Sequence, residues 1–214
     1  MANIIRLHSD EKVEEVKPSD VKGLKITFNK GSDNNIIDIF EPTNFVDSSI
    51  FIQGSKNTVY IDSSIYRRSN LTTSVFDFEN ECRIGKNLYC DHILIVLSEI
   101  GNKIIIGEDC MFSSNIMLRV ADGHTIYDIN TKLPINKPKR GIQIGSHVWI
   151  CRNVTILKDS GCGSNDIIGC GSILTKYYPE NNIILAGNPA RIVKINVNWD
   201  RRNLINYENS LNKK

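Results

Sequence analysis

An all-β chain wound into a three-sided parallel prism is the fold class this sequence predicts, and three observations predict it. From Ile144 to Leu174 a largely apolar series recurs at every sixth position: Ile144, Ile150, Ile156, Cys162, Ile168 and Leu174. A beat of six is neither the alternation of a simple strand nor the helical period of about 3.6 residues. It belongs to a chain that turns three flat sides per coil and buries a residue from each side against the coils above and below. Val148, Val154, Ser160, Asp166 and Ser172 follow four places behind, mostly small or branched and suited to a second inward column. Gly145, Gly163 and Gly169 come one step after members of the first series, where a tight corner favours glycine. Cys162 in an aliphatic slot and Asp166 among the inward residues predict an imperfect coil at their level.

Along the chain, residues 1–25 carry little pattern and leave a loose lead-in and a capping strand both open. From Leu24 to Ile84, short apolar runs such as Asn35-Ile36-Ile37-Asp38-Ile39-Phe40 and Asn57-Thr58-Val59-Tyr60-Ile61 alternate with turn-forming Asn, Asp, Ser and Gly, which predicts degenerate early coils. The repeat sharpens at Ile84-Gly85 and at Ile106-Gly107, with Cys110, Phe112, Ile116 and Leu118 behind it. Residues 119–141 lose the beat, and hold Asp122, Gly123, His124, Pro134, Pro138 and five basic residues. So long an excursion from a solenoid points to function, because it has no packing reason to persist. After it the coils resume. Residues 177–182 read as a second, shorter departure, and Gly187-Asn188-Pro189-Ala190 as a tight turn. The domain assignment is therefore a prism over residues 1–197, with lead-in 1–25 and excursion loop 119–141, and a tail over 198–214. That tail reads as a helix starting near Asn198, with Leu204, Tyr207 and Leu211 on one face packed against the prism end or a neighbour, and with 212–214 frayed.

Composition narrows the function. The 214 residues suffice for one domain with a real core, and a net charge of +2 with 23% charged residues predicts neither a nucleic-acid partner nor an anionic membrane. Residues 1–22 are polar and charged, and no stretch approaches the roughly 20 apolar residues of a membrane span, so a cytoplasmic protein is expected. Six cysteines, Cys82, Cys90, Cys110, Cys151, Cys162 and Cys170, include no Cys-x-x-Cys pair and several fall on repeat positions. They read as reduced small fillers of coil and corner sites.

Three motifs carry a resemblance. Ile144-Gly145-Ser146-His147-Val148-Trp149-Ile150, Ile168-Gly169-Cys170-Gly171-Ser172-Ile173-Leu174-Thr175-Lys176 and Ala186-Gly187-Asn188-Pro189-Ala190-Arg191 resemble the hexapeptide-repeat acyltransferases, and within them the sugar and polysaccharide O-acetyltransferases. The likeness runs from about Cys82 to Asp200. It implies a left-handed parallel β-helix, a homotrimer with active sites between subunits, acetyl-CoA as acyl donor, and a carbohydrate acceptor.

The resemblance also implies roles. Ala121-Asp122-Gly123-His124-Thr125-Ile126-Tyr127-Asp128 is similar to the family's catalytic loop, with His124 as general base. The chemistry fits the residue type: a sugar hydroxyl is a poor nucleophile at neutral pH, a thioester is already activated, and neutral imidazole accepts the hydroxyl proton during attack. Asp122 or Glu99 are the candidates to hold the other ring nitrogen, with a backbone carbonyl as a third possibility. Trp149, on an outward position, is expected as an apolar wall near the thioester and pantetheine arm. Arg152, Cys170, Thr175, Lys176, Arg191 and Lys194 match cofactor-lining positions, with Lys176, Arg191 and Lys194 facing the adenosine phosphates. Asp91 and His92, in Tyr89-Cys90-Asp91-His92, fall where the family's acceptor site lies; Asp91 stands where an asparagine is common, which leaves the acceptor's identity open. His8 and His147 read as surface and outward coil residues.

Four other functions were weighed. A carbonic anhydrase on the same prism needs three histidines converging on zinc, whereas His92, His124 and His147 lie more than twenty residues apart, so no metal site is expected. An N-acetyltransferase of a nucleotide-linked amino sugar lacks an N-terminal βαβ unit here. An antibiotic O-acetyltransferase of the same fold would share base and donor, and a non-catalytic scaffold would need neither the His124 loop nor the basic lane. The expected activity is CoA-dependent O-acetylation of a bacterial surface polysaccharide, lipooligosaccharide or sugar precursor.

Overall fold

The computed structural model of the chain describes residues 2–10, 12–63 and 69–212, which form a left-handed parallel β-helix. Lys213 and Lys214, part of the segment expected to fray, lie outside the described residues. Three sheets make the faces of the prism. The first runs over nine strands, from Val13–Glu15 and Ile4–His8 through Ile36–Phe40, Glu81–Ile84 and Ile142–Ile144 to Tyr177–Tyr178. A second face of six strands runs from Tyr89–Cys90 through Trp149–Ile150 to the hairpin Ile183–Gly187 and Ala190–Ile195. The third face has seven, from Leu24–Phe28 through Ile116–Arg119 to Ile173–Leu174. From Glu81 onward each coil visits the first, second and third faces in that order before returning to the first.

Both inward columns read from the sequence are buried. Ile144, Ile150, Ile156, Cys162, Ile168 and Leu174 are at most 1% exposed, as are Val148, Val154, Ser160, Asp166 and Ser172. The coil at Cys162 and Asp166 is not imperfect, contrary to expectation: Gln143–Ile144 pair in parallel with Gly161–Cys162, and Trp149–Ile150 with Ile167–Ile168. A thiol fills an aliphatic slot without disturbing register. Asp166 is tolerated because its Oδ1 accepts the Ile183 N–H at 3.0 Å, and burial pushes its carboxyl up to about 6.

The corner glycines are required for a different reason from the one expected. A Cβ on Gly145 would stand 2.3 Å from the Gly163 carbonyl oxygen, and one on Gly107 2.6 Å from Gly145, so glycine is demanded by the closeness of the next coil. The left-handed corner conformation falls instead to residues such as His147, Asn153 and Asn165, with φ of 55°, 61° and 61°.

In the early coils a polar column runs along a different edge from the corner glycines. Asn35, Asn57, Asn80 and Asn102 lie beneath one another at the entry to the first face, all at most 7% exposed. Each amide oxygen accepts the backbone N–H of the next asparagine: Asn57 N at 2.9 Å, Asn80 N at 2.9 Å and Asn102 N at 2.8 Å. Asn3 begins the ladder by accepting from Asn35, and the side-chain NH₂ groups donate to backbone carbonyls of the same edge, as Asn80 does to Glu99 O at 2.7 Å. The ladder stops at Asn102, and on this edge the next coil carries the excursion loop. The lead-in is a cap: Ile4–His8 pairs in parallel with Ile36–Phe40, and Val13–Glu15 folds back antiparallel over it.

Two expectations for the C-terminal part are corrected. Residues 177–182 are not a departure from the coil, since Tyr177–Tyr178 is the last strand of the first face and Tyr178 is buried. The turn at Gly187-Asn188-Pro189-Ala190 closes the final hairpin. The helix spans Leu204–Leu211 rather than starting near Asn198, with Asn203 as its N-cap accepting from Asn206 N, and none of its residues is buried. It therefore does not pack on the prism end of its own chain. The tail is attached instead by the extended residues before it, through buried Trp199.

Two measurements test this interior. Asn80→Ala leaves the Asn102 amide without its acceptor and is expected to lower unfolding stability by about 2 kcal/mol in a urea titration. Asp166 holds its proton more tightly folded than unfolded, so its contribution is fully favourable below about pH 4 and falls away as pH rises through about 6, a loss of about 3 kcal/mol. Asp166→Asn should remove that component, so the stability difference between wild type and variant changes across this window and is flat above about pH 7.

Candidate active site

The residues singled out by the sequence sort onto the edges and faces of the prism. The edge between third and first faces carries the excursion loop, and His124 stands exposed on it. The loop is closed by its own hydrogen bonds: Ile135 N to Ile126 O at 2.8 Å, and Asp128 N to Leu133 O at 3.0 Å. Asn136 pins the histidine's backbone. Its Nδ2 donates to His124 O and to Asp122 Oδ2, both at 2.8 Å, while its Oδ1 accepts from Ile126 N at 2.9 Å. Lys158, from the following coil, donates to Asp122 Oδ2 and to Asn136 O, and this ammonium holds the Asp122 carboxyl below its usual range. Arg119 fastens the loop's exit by donating to Ala121 O at 2.9 Å, and Asp159 fastens its return by accepting from Lys139 N and Arg140 N. Asp122 thus braces the loop through Lys158 and Asn136.

Glu99 lies on the same edge one coil earlier, where Asp77, Glu99, Ile100, Asn102, Lys137 and Pro138 line a recess of about 560 Å³. Thr175 and Lys176 lie on that edge two coils after the loop, exposed, with the Lys176 ammonium 4.9 Å from the Tyr178 ring centre. Glu99, Thr175 and Lys176 therefore share an edge with His124.

The remaining residues do not. Asp91, His92, Arg152 and Cys170 occupy the edge between second and third faces. Tyr89 donates to Asp91 Oδ1 at 2.6 Å, and Arg152 Nε to Ser114 Oγ at 3.0 Å. Arg191 and Lys194 project from the terminal strand Ala190–Ile195, exposed. Trp149 lies on the second face, which in a triangular section is opposite the edge that bears His124. One chain therefore keeps imidazole and indole on opposite sides.

Beside Trp149 is the attachment of the tail. Trp199 stacks on the His147 ring, centroids 4.3 Å apart and planes 11° apart, and donates its Nε1 proton to His147 O at 2.8 Å. His147 Nδ1 meets Asp109 Oδ2 at 2.6 Å, and Arg201 donates to Asp109 Oδ1 at 2.9 Å and to Cys110 O at 3.2 Å. Burial raises the Asp109 carboxyl, but His147 and Arg201 outweigh it and leave it lowered. Between this clamp, the second face and the helix lies a groove of about 680 Å³ lined by Trp149, Ile167, Ile184, Trp199, Arg202 and Tyr207. His147, an outward coil residue in the sequence, is thus committed to holding the tail. Among the described residues no group of three or more His, Cys, Asp or Glu could hold a metal ion.

Sequence reasoning missed Asn136, Lys158, Asp109 and Trp199. A lone asparagine in a loop has no spacing to betray it, and the Trp199–His147 pair spans 52 positions.

The comparisons with known proteins bear on the whole chain. No family model matches it. It is 48% identical over 98 residues to the polysialic acid O-acetyltransferase of Escherichia coli O1:K1 / APEC, a match covering 46% of this chain but only 31% of that protein. With the polysialic acid O-acetyltransferase of Neisseria meningitidis it shares 34% identity over 189 residues, 79% of this chain and 87% of the relative. Among solved structures, the polySia specific acetyltransferase NeuO superposes with a TM-score of 0.79 and 30% identity, covering 94% of this chain and 80% of that one.

The tail clamp is testable on the single chain. Arg201→Met removes the guanidinium that joins Asp109 to the Cys110 carbonyl, and limited proteolysis is expected to release the C-terminal helix several-fold faster, with the melting temperature of the prism little changed. Cleavage at the wild-type rate would show that Trp199 alone holds the tail.

Proposed function

The chain belongs to the hexapeptide-repeat acyltransferases, in their sugar and polysaccharide O-acetyltransferase branch, and from that membership we propose that it moves an acetyl group from acetyl-CoA to a hydroxyl of a bacterial surface polysaccharide. The observation that carries this reading is the match over 87% of the Neisseria meningitidis polysialic acid O-acetyltransferase. A sialic acid polymer is accordingly the first acceptor to try.

His124 is the general base. As the acceptor oxygen attacks the thioester carbonyl, the imidazole takes its proton; the tetrahedral intermediate then collapses, and the departing CoA thiolate takes the proton back. No covalent enzyme intermediate is required. Asn136 and Lys158 act through the loop: one fixes the backbone at His124, the other anchors Asp122 beneath it. That leaves Glu99, on the same edge, or a backbone carbonyl to orient the ring. Lys176, Arg191 and Lys194 bind the donor's phosphates, Arg152, Cys170 and Thr175 line its arm, and Trp149 shields the thioester. Asp91 and His92 face the acceptor.

This distribution supports a homotrimer. His124 and Trp149 meet only if the loop of one copy reaches the second face of the next. The loop is built for contact, since Ile126, Tyr127, Ile129, Leu133 and Ile135 are each more than half exposed. So apolar a surface marks an interaction site. The outward side of the third face adds Leu94, Val96, Met117 and Ile173, half-buried in the single chain. A cytoplasmic location fits six free cysteines, and among the described residues no helix is long and apolar enough to cross a membrane.

His124→Ala is expected to lower acetyl transfer to polysialic acid by about 10²-fold or more, followed as thiol release from acetyl-CoA, with circular dichroism and sedimentation unchanged. Wild-type turnover in that variant would remove His124 as the base.

A further inference from the structure

Four of the six cysteines are sealed in the core, and burial pushes the Cys82, Cys90 and Cys110 thiols up to about 12. Cys151 and Cys170 differ: one is half-buried, the other exposed, on successive corners of the edge between second and third faces. Their adjacency is locked by the backbone on both sides. Cys151 N donates to Ile168 O at 2.9 Å, and Gly171 N donates to Arg152 O at 3.0 Å. Cys170 is near enough to Cys151 to raise the Cys151 thiol. Register pairs Ile150 with Ile168, so Cys170 is one residue diagonal to Cys151. With coils ~4.8 Å apart, that diagonal sets the Cα atoms ~6 Å apart, within the span of a disulfide.

We propose that Cys151 and Cys170 form a redox-active dithiol that closes to a disulfide by exchange with a low-molecular-weight disulfide. The exposed Cys170 thiolate attacks one sulfur of the small disulfide RSSR, forming a mixed disulfide and expelling RS⁻. Cys151 then loses its proton and attacks the Cys170 sulfur, and the second RS group leaves and takes up that proton as RSH. The cysteine pair loses two electrons and RSSR gains them. The roles follow from the surroundings: burial, and then the negative charge on Cys170, push the Cys151 thiol up to about 11. Cys151 therefore keeps its proton, and the exposed Cys170 is the sulfur that a small disulfide meets first. The other four cysteines are buried and lack access. On the proposed reading of the enzyme, this edge carries the donor's arm past Arg152 and Cys170, so closure lowers acetyl transfer.

The test treats the full-length protein with oxidised glutathione, alkylates remaining thiols, and maps peptides by mass spectrometry. A Cys151–Cys170 disulfide is expected in the wild type, with the four core thiols labelled only after unfolding. Cys151→Ser should stop at glutathione on Cys170, and Cys170→Ser should slow modification at Cys151 by about tenfold or more. Absence of the crosslink in folded wild type overturns the proposal, as does equal modification of Cys151 with and without Cys170. These readouts do not depend on acetyl transfer, so they fail separately from the proposed function. A crosslinked protein that retains full transfer, tested before and after reduction, overturns the regulatory consequence.

Discussion

Hydrogen bonding from coil to coil is the constraint from which the rest of this structure follows. Each turn of the prism lies about 4.8 Å from the next, and that spacing sets what a residue meets above and below itself. A residue facing inward stacks on its counterpart, and a corner residue sits against the neighbouring backbone. This is why glycine recurs at Gly107, Gly145 and Gly163, where a Cβ would fall on the next coil. The same spacing lets an asparagine amide reach the backbone N–H one coil on, which produces the ladder from Asn35 to Asn102. One spacing thus sets what each of two edges can hold.

Coil length explains why half of the prism was legible in the sequence and half was not. In the later coils Ile144 pairs with Cys162, and the Ser146–Ser164 bond spans 18 positions, three sides of six residues each. That repeat announces itself. In the earlier coils the asparagine contacts span 22 or 23 positions, so a window tuned to six finds nothing regular. Asn35 and Asn57 were read only as members of short apolar-polar runs, whereas here they are buried and bonded in a column. Residues 177–182 were misread for a related reason: Tyr178 is large for a coil slot, and it fits because its hydroxyl reaches the Ala190 carbonyl in the closing hairpin.

For the candidate site, residue types were more legible than arrangement. The loop with His124 stood out by losing the beat. Its bracing by Asn136 and Lys158 left no trace, because hydrogen bonds between a loop and a later coil impose no period. The tail shows the same limit more sharply. Leu204, Tyr207 and Leu211 have helical spacing and invited packing onto the prism, yet the attachment belongs to Trp199 and Arg201, just before the helix. Both find partners, His147 and Asp109, that are distant in sequence and adjacent only after coiling.

A filled prism also decides where chemistry can occur. Its interior is a continuous column of Ile, Leu, Val and Cys side chains, with no room for a sugar or a thioester. Reacting groups must therefore lie on outer faces and edges, and a rigid prism does not fold over to bring two of them together. His124 and Trp149 fall on opposite sides for this reason, and lengthening the loop is the only local means of spanning the gap. A loop long enough to leave its own prism exposes apolar residues, as Ile129 and Ile135 do. The stacking that fixes every coil to within hydrogen-bond distance is thus what holds His124 and Trp149 apart within one chain.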